Sequence, residues 1–177
     1  MNPKFESACH DRGDGTTYTK IAGVVDEDHE LAILTPKLKT ALRIVIDLAD
    51  VERVNDAGAR ALHAWLDELS ASGVAIGIDR VSSAIVARMN ENPAFMGRAT
   101  VRSFFAPFYC GACETEQVHL LRPEEVPPEG GKEGGKPPPQ VCTECAANAE
   151  FDGTSDYFRF IRRIIGTRAV VAEPAAR

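Results

Sequence analysis

Four of the five cysteines stand in two matched pairs, Cys110-Gly111-Ala112-Cys113 and Cys142-Thr143-Glu144-Cys145. A Cys-x-x-Cys turn sets two sulfurs one tetrahedral edge apart. Two such turns supply the four soft ligands of a closed structural zinc site. Iron accepts the same ligands. A thiol-based redox switch is the other chemistry open to such a pair. In a thioredoxin-like arrangement, however, the pair opens a helix just after a strand. Here Glu114 to Leu120 reads as a strand, with Thr115, Val118 and Leu120 as its strand formers. The presence of a second pair also favours a metal. The expectation is one structural zinc ion on Cys110, Cys113, Cys142 and Cys145. His119 reads as a surface histidine, and Cys9, outside the pattern, as a buried structural residue.

Nothing else in the chain assembles chemistry of comparable specificity. It has no Gly-rich phosphate loop, no Gly-x-Ser-x-Gly elbow and no His-Glu-x-x-His. Asp26-Glu27-Asp28 reads as the acidic start of a helix rather than an acid–base cluster. Cys9 and His10 make only a weak pair. Arg159, Arg162 and Arg163 read as the solvated face of a helix. The expectation is a protein that is not an enzyme.

Charge narrows the partners. The 177 residues carry a net charge of −6. Residues 1–107 hold 12 Lys/Arg against 15 Asp/Glu, residues 108–149 hold 3 against 7, and residues 150–177 hold 5 against 4. The cysteine-bearing part is thus acidic, and four thiolates around one zinc ion add a further charge of about −2. Nucleic-acid affinity comes mainly from Lys and Arg on phosphates, so a nucleic-acid-binding zinc ribbon is the weaker alternative. No apolar run approaches the ~18 residues of a membrane helix. Met1 to His10 does not read as a signal peptide. The expected compartment is cytoplasmic, where paired cysteines more often bind metal than form disulfides.

The elements that must position these cysteines alternate along residues 1–107. Phe5–His10 and Thr16–Val25 read as strands around the turn Asp11–Gly15. A helix follows Asp26–Asp28, with Leu31, Leu34 and Leu38 at helical spacing and Pro36 ending or kinking it. Leu42–Leu48 reads as a buried central strand and Asp50–Asp56 as a polar loop. Next comes an amphipathic helix with Ala61, Leu62, Trp65, Leu66 and Leu69 on one face, Asn55 or Asp56 as its N-cap and Gly73 as its stop. Val74–Ile78 is a strand. A helix capped by Ser82 or Ser83 buries Ile85, Val86 and Met89 and ends at Pro93. Val101–Ala106 is the last strand. The order β-β-α-β-α-β-α-β implies an α/β domain with one sheet over residues 1–107.

Residues 108–149 read as a small zinc-ribbon insertion. Ten of the seventeen residues in 123–139 are Pro or Gly, which implies a mobile loop between the two cysteine turns. Residues 150–177 read as a C-terminal helix, Tyr157–Ile165, and a frayed tail.

Residues 16–107 resemble the STAS domain, the fold of bacterial anti-sigma-factor antagonists. The resemblance rests on Thr16–Val25 running into Asp26-Glu27-Asp28, the strand Ile44-Val45-Ile46-Asp47-Leu48, and the turn Val54-Asn55-Asp56-Ala57-Gly58 that opens directly into a helix. It covers about half of the chain. It implies a mixed sheet flanked by helices and a role in protein recognition. The partner would be a serine-kinase anti-sigma factor or another STAS or signalling protein, docked around Asn55, Asp56, Ala57 and Gly58. In the family a serine directly before the glycine is phosphorylated, and the added charge blocks docking. Ala57 stands at that position and has no hydroxyl. The resemblance therefore implies a constitutive antagonist or, preferably, an unswitched scaffold, with the four-cysteine insertion as an addition to the family pattern.

Overall fold

The computed structural model of the chain describes residues 4–92, 94–128 and 135–161. It is a mixed α/β structure. In chain order the first part comprises β1 (Glu6–Asp11), β2 (Thr16–Val25), α1 (Leu31–Leu38), β3 (Arg43–Val54), α2 (Asp56–Ala71), β4 (Ala75–Asp79), α3 (Ser83–Glu91) and β5 (Thr100–Val101). These strands form one sheet in the order β1-β2-β3-β4-β5. β1 pairs antiparallel with β2, and every other pairing is parallel. The sheet is mixed, as expected. Because the parallel strands follow in sequence order, right-handed crossovers place α1, α2 and α3 on the same face.

That face is apolar. Ile44, Ile46 and Leu48 of β3 are fully buried, as are Leu62, Leu66 and Leu69 of α2 within the 0–1% exposure range. Each side chain of this size contributes about 1.5–3 kcal/mol when removed from water. Trp65 donates its indole N–H to Thr35 Oγ1 at 3.0 Å, fastening α2 to α1 inside the core.

The opposite face is polar. The strand register sets Lys20, Asp47 and Asp79 side by side across β2, β3 and β4. Asp47 is wholly buried and accepts hydrogen bonds from Tyr18 Oη and the Arg80 guanidinium, and from Ala49 N at 3.0 Å. Arg80 reaches it from a left-handed backbone, φ 51°, with its own N–H held by Ser103 Oγ at 2.9 Å. Burial pushes the Asp47 carboxyl up, but the Arg80 and Tyr18 hydrogen bonds outweigh it and hold the group below its ordinary value. Lys20 pairs with Asp50, and Arg102 pairs with Asp79 through Nε–Oδ1 at 2.8 Å.

A second, antiparallel sheet contains β6 (Phe104–Cys110), β7 (Thr115–Leu121), β8 (Gln140–Val141) and β9 (Asn148–Phe151), in the order β7-β6-β9-β8. Phe104 joins the two sheets. Its backbone bridges to Val81, and its buried ring packs edge-on against Phe158 at 6.0 Å and Phe160 at 5.2 Å. Asn90 of α3 ties the segment 155–161 in place. It donates to Tyr157 O at 2.9 Å and accepts from Phe160 N at 2.9 Å. One buried apolar cluster runs from Ile21 to Ile161 through both sheets.

Several local expectations are revised. Asp50–Val54 is not a loop: β3 continues to Val54, because the long strand β2 needs a partner and Val51 and Val54 are buried. The strand expected over Val101–Ala106 is two strands broken at Arg102-Ser103, and residue 107 lies inside β6. Asp26–Asp28 forms a turn, closed by Asp28 N on Asp26 Oδ1 at 3.0 Å, and the helix begins only at Leu31. Pro36 sits within that helix, two residues before its end. Cys9 is half-buried, its sulfur accepting from Thr19 Oγ1 at 3.5 Å. The flanks of the Pro/Gly-rich stretch are packed: Pro123–Glu125 is a 3-10 turn, and Val126 is buried. Residues 129–134, Pro93, Arg162, Arg163 and the tail lie outside the described residues, as does Tyr157–Ile165 beyond Ile161.

Replacing Asp47 with Asn strands the Arg80 and Tyr18 donors and should lower stability by about 1–3 kcal/mol near neutral pH, read from urea unfolding. The depressed folded value means that the charged group stabilises fully above the unfolded Asp value of about 3.9, and that this contribution fades as pH falls through the folded value. A difference between Asp47→Asn and wild type that stays constant through the acid range would show that the carboxylate's charge contributes nothing.

Candidate functional site

The two cysteine turns occupy corresponding places in the second sheet. Cys110 ends β6, and Cys113 lies in the turn to β7. Cys142 follows β8, and Cys145 lies in the turn to β9. In each turn the residue after the second cysteine is left-handed, Glu114 at φ 56° and Ala146 at φ 60°. These reversals send the chain back beside itself and leave all the sulfurs facing one point.

All four sulfurs lie within 4.8 Å of one another. Cys110 Sγ is 3.6 Å from Cys145 Sγ, and Cys113 Sγ is 3.6 Å from Cys142 Sγ, each link running from one turn to the other. A disulfide would need about 2.05 Å. A tetrahedral ion with metal–sulfur bonds of ~2.3 Å has sulfur–sulfur edges of ~3.8 Å. The cluster therefore fits a four-coordinate metal ion such as zinc. Cys110 and Cys142 are buried, Cys113 is half-buried and Cys145 is exposed, so the site sits at the rim of the sheet with two ligands rooted in its core.

Gln117, which the sequence reading did not single out, supports the cluster. Its amide Nε2 donates to Cys142 Sγ at 3.1 Å, and its Oε1 accepts from Thr143 N at 3.1 Å. His119 is not a ligand. Its Nε2 meets Gln117 Oε1 at 2.8 Å and its ring packs edge-on against Phe108 at 5.0 Å. The alternation of β7 sets Thr115, Gln117 and His119 on one face, which was the available signal. The hairpin register that brings that face to Cys142 was not.

The four thiols are not equivalent. The Gln117 hydrogen bond, with backbone help from Cys145, lowers the Cys142 thiol to about 6. The Ala147 N–H pulls Cys145 down, but the neighbouring Cys113 and Cys110 sulfurs prevail and raise it to about 12.

The turn Asn55–Gly58 lies elsewhere, at the C-terminal end of β3. Asn55 is the N-cap of α2: its Oδ1 accepts from Gly58 N at 2.8 Å, while its Nδ2 donates to Glu27 Oε2 at 2.6 Å. Gly58 packs against the Val25 carbonyl so closely that no Cβ fits. Arg88 of α3 donates to Val54 O at 2.7 Å and to the exposed Asp56 Oδ1 at 2.8 Å. Ala57 is half-buried between them. Neither a protein-family model nor a curated protein matches this chain. Among the described residues, no helix is long and apolar enough to cross a membrane.

Protein purified under reducing conditions should carry about one metal ion per chain, with four thiols protected until a chelator removes it. Cys142→Ser should abolish retention and expose amides of residues 140–151 to hydrogen exchange while those of 43–48 stay protected. Loss of both regions together would show that the two sheets do not open separately. Metal-free protein whose thiols oxidise rapidly would exclude a structural metal. Gln117→Ala leaves all four ligands and should weaken metal binding by about 10–100-fold in a chelator competition. Unchanged affinity would remove Gln117 from the site.

Proposed function

We propose that this chain is a non-enzymatic protein-interaction module of bacterial signalling, a STAS-like antagonist or scaffold of the cytoplasm that carries one structural zinc ion on Cys110, Cys113, Cys142 and Cys145. The observation that carries the reading is the start of α2. The resemblance calls for a capped turn after a buried strand, with a glycine closing it. Asn55 supplies the cap and Gly58 the close approach to Val25. The sequential order of β2 to β5, with a helix in every crossover, supports the same reading.

Ala57 sets the mode of action. With no hydroxyl before the glycine, phosphorylation has no acceptor at that position, so docking is unswitched there and the scaffold role is preferred. Asp56 does not replace the switch, because its charge is matched by Arg88 at 2.8 Å. The partner is a serine-kinase anti-sigma factor or another STAS or signalling protein. Zinc holds the second sheet in shape and takes no part in turnover.

The docking test adds the charge that the switch would have supplied. Ala57→Glu places a carboxylate in the first turn of α2, where the helix dipole favours it, so the fold should hold. A partner cross-linked through residues 55–60 of the wild type should be lost from Ala57→Glu. Retention of the same cross-links by the variant, or turnover of a small molecule that depends on Asp56, would refute the reading.

A further inference from the structure

Three arginines converge on a cavity at the end of the first sheet remote from Asn55–Gly58. The cavity is about 520 Å³ and is lined by Arg43, Arg98 and Arg102, with Ser70 and Thr100 among its other lining residues. No Asp or Glu lines it. That is unusual in a chain of net charge −6. Among the described residues, neither Arg43 nor Arg98 meets a carboxylate. Arg102 is held by Asp79 through Nε and Nη2, at 2.8 and 3.0 Å. Its Nη1 lies over Gly77, where an added Cβ would come within 3.3 Å of it and within 3.0 Å of Arg102 Cδ. A side chain at Gly77 would crowd Arg102 at this edge of the cavity.

We propose that this cavity is a binding site for the phosphate group of a small phosphomonoester. Guanidinium groups pair with phosphate oxygens through paired N–H donors, and the two arginines without a carboxylate partner, Arg43 and Arg98, match the charge of a dianion, while Arg102 is already paired with Asp79. The volume falls within the range of ordinary small-ligand sites, roughly 300–1,000 Å³. A polyanion fits less well. The cavity shares Thr100 and Arg102 with a neighbouring cleft of about 620 Å³, and that cleft carries Asp79, Glu124 and Glu125. A phosphate backbone leaving the arginines on that side would meet Glu124 and Glu125 with only Arg122 to offset them, because Asp79 is paired with Arg102. The site is independent of the docking turn and of the four cysteines, so its failure would leave those readings untouched.

The test is a titration of the full metal-loaded chain with phenyl phosphate, with inorganic phosphate as a second arm and a single-stranded oligonucleotide as a third, followed by phosphorus NMR and calorimetry. Phenyl phosphate should bind the wild type, and the double variant Arg43→Gln/Arg98→Gln should lose roughly tenfold or more in affinity. Both arginines are exposed, so the variant should fold, and its unfolding curve checks that. Arg53→Gln, at an exposed residue outside the cavity, should bind as wild type does. Inorganic phosphate binding as tightly as phenyl phosphate would reduce the ligand to the free anion and overturn the monoester. Tighter binding of the oligonucleotide, falling steeply with salt, would overturn the small-ligand proposal in favour of a polyanion. Equal phosphate binding by wild type and double variant, or none by the wild type, would overturn the site.

Discussion

Four sulfur atoms within 4.8 Å of each other cannot all carry negative charge unless a cation sits among them. The cysteine turns of the second sheet bring this constraint to one point. β8 has two residues and β9 four, too few to hold themselves in place by pairing alone. Each is joined to the cluster through an adjoining turn, and the opposite side of the cluster is anchored by Cys110 at the end of the seven-residue β6. A metal at the centre would convert four mutually repelling groups into one cross-link between residues 110–113 and residues 142–145. The intervening chain then closes at modest entropic cost, because that cost rises only slowly with loop length. The left-handed residues Glu114 and Ala146 show the same constraint in the backbone. Neither is glycine, and each adopts the conformation because the turn needs it.

The cross-link is coupled to the larger sheet through aromatic packing. Phe108, two residues before Cys110, packs edge-on against Phe151 at 6.0 Å, and Phe151 meets Phe158 at 4.7 Å. Phe158 in turn packs on Phe104, at the junction of the sheets. An aromatic pair of this kind adds about 0.5–1.5 kcal/mol beyond area burial. The cysteine cluster and the helix-flanked sheet are thus linked by contiguous buried rings as well as by the covalent chain. Tyr157 adds a polar stitch, its hydroxyl donating to Phe105 O at 2.7 Å.

What was legible in the sequence follows how local each cause is. The four ligands were legible because metal chemistry is written in residue type and spacing. β2 was legible because Thr, Tyr, Ile and Val crowd it, and α2 because its apolar residues repeat at one period from end to end, with Asn55 and Gly73 marking its limits. The second half of β3 was not. Asp50, Glu52 and Arg53 look like a loop, and only pairing with Ala22–Val25 makes them a strand. The break at Arg102-Ser103 was hidden for the same reason. Both sides of it are apolar, and the change of sheet is decided by Phe104 pairing with Leu121. Gln117 and the Asp47–Arg80 pair depend on contacts 25 and 33 residues apart in sequence, beyond the reach of any local pattern.

The distribution of charge separates the surfaces of the molecule. Arg43 opens β3 and Asn55 follows its last residue, so the arginine cavity and the α2 turn lie a strand's length apart, about 40 Å for twelve residues. Groups at that distance with no shared partner act almost additively. The exposed face of the sheet between them does not join them electrostatically, because its charges are matched in pairs: Lys20 with Asp50, Arg80 with Asp47, and Arg102 with Asp79. At the Arg43 end of the sheet, Arg43 and Arg98 have no carboxylate partner among the described residues. The acidic cysteine-bearing part lies beyond β5, where Glu124 and Glu125 line the adjoining cleft. A ligand drawn by charge is thereby directed to one end of the sheet, away from the cluster and away from Ala57. Any influence of one site on another would have to pass through the rigid strand β3, and no second arrangement of that strand is needed to satisfy its hydrogen bonds.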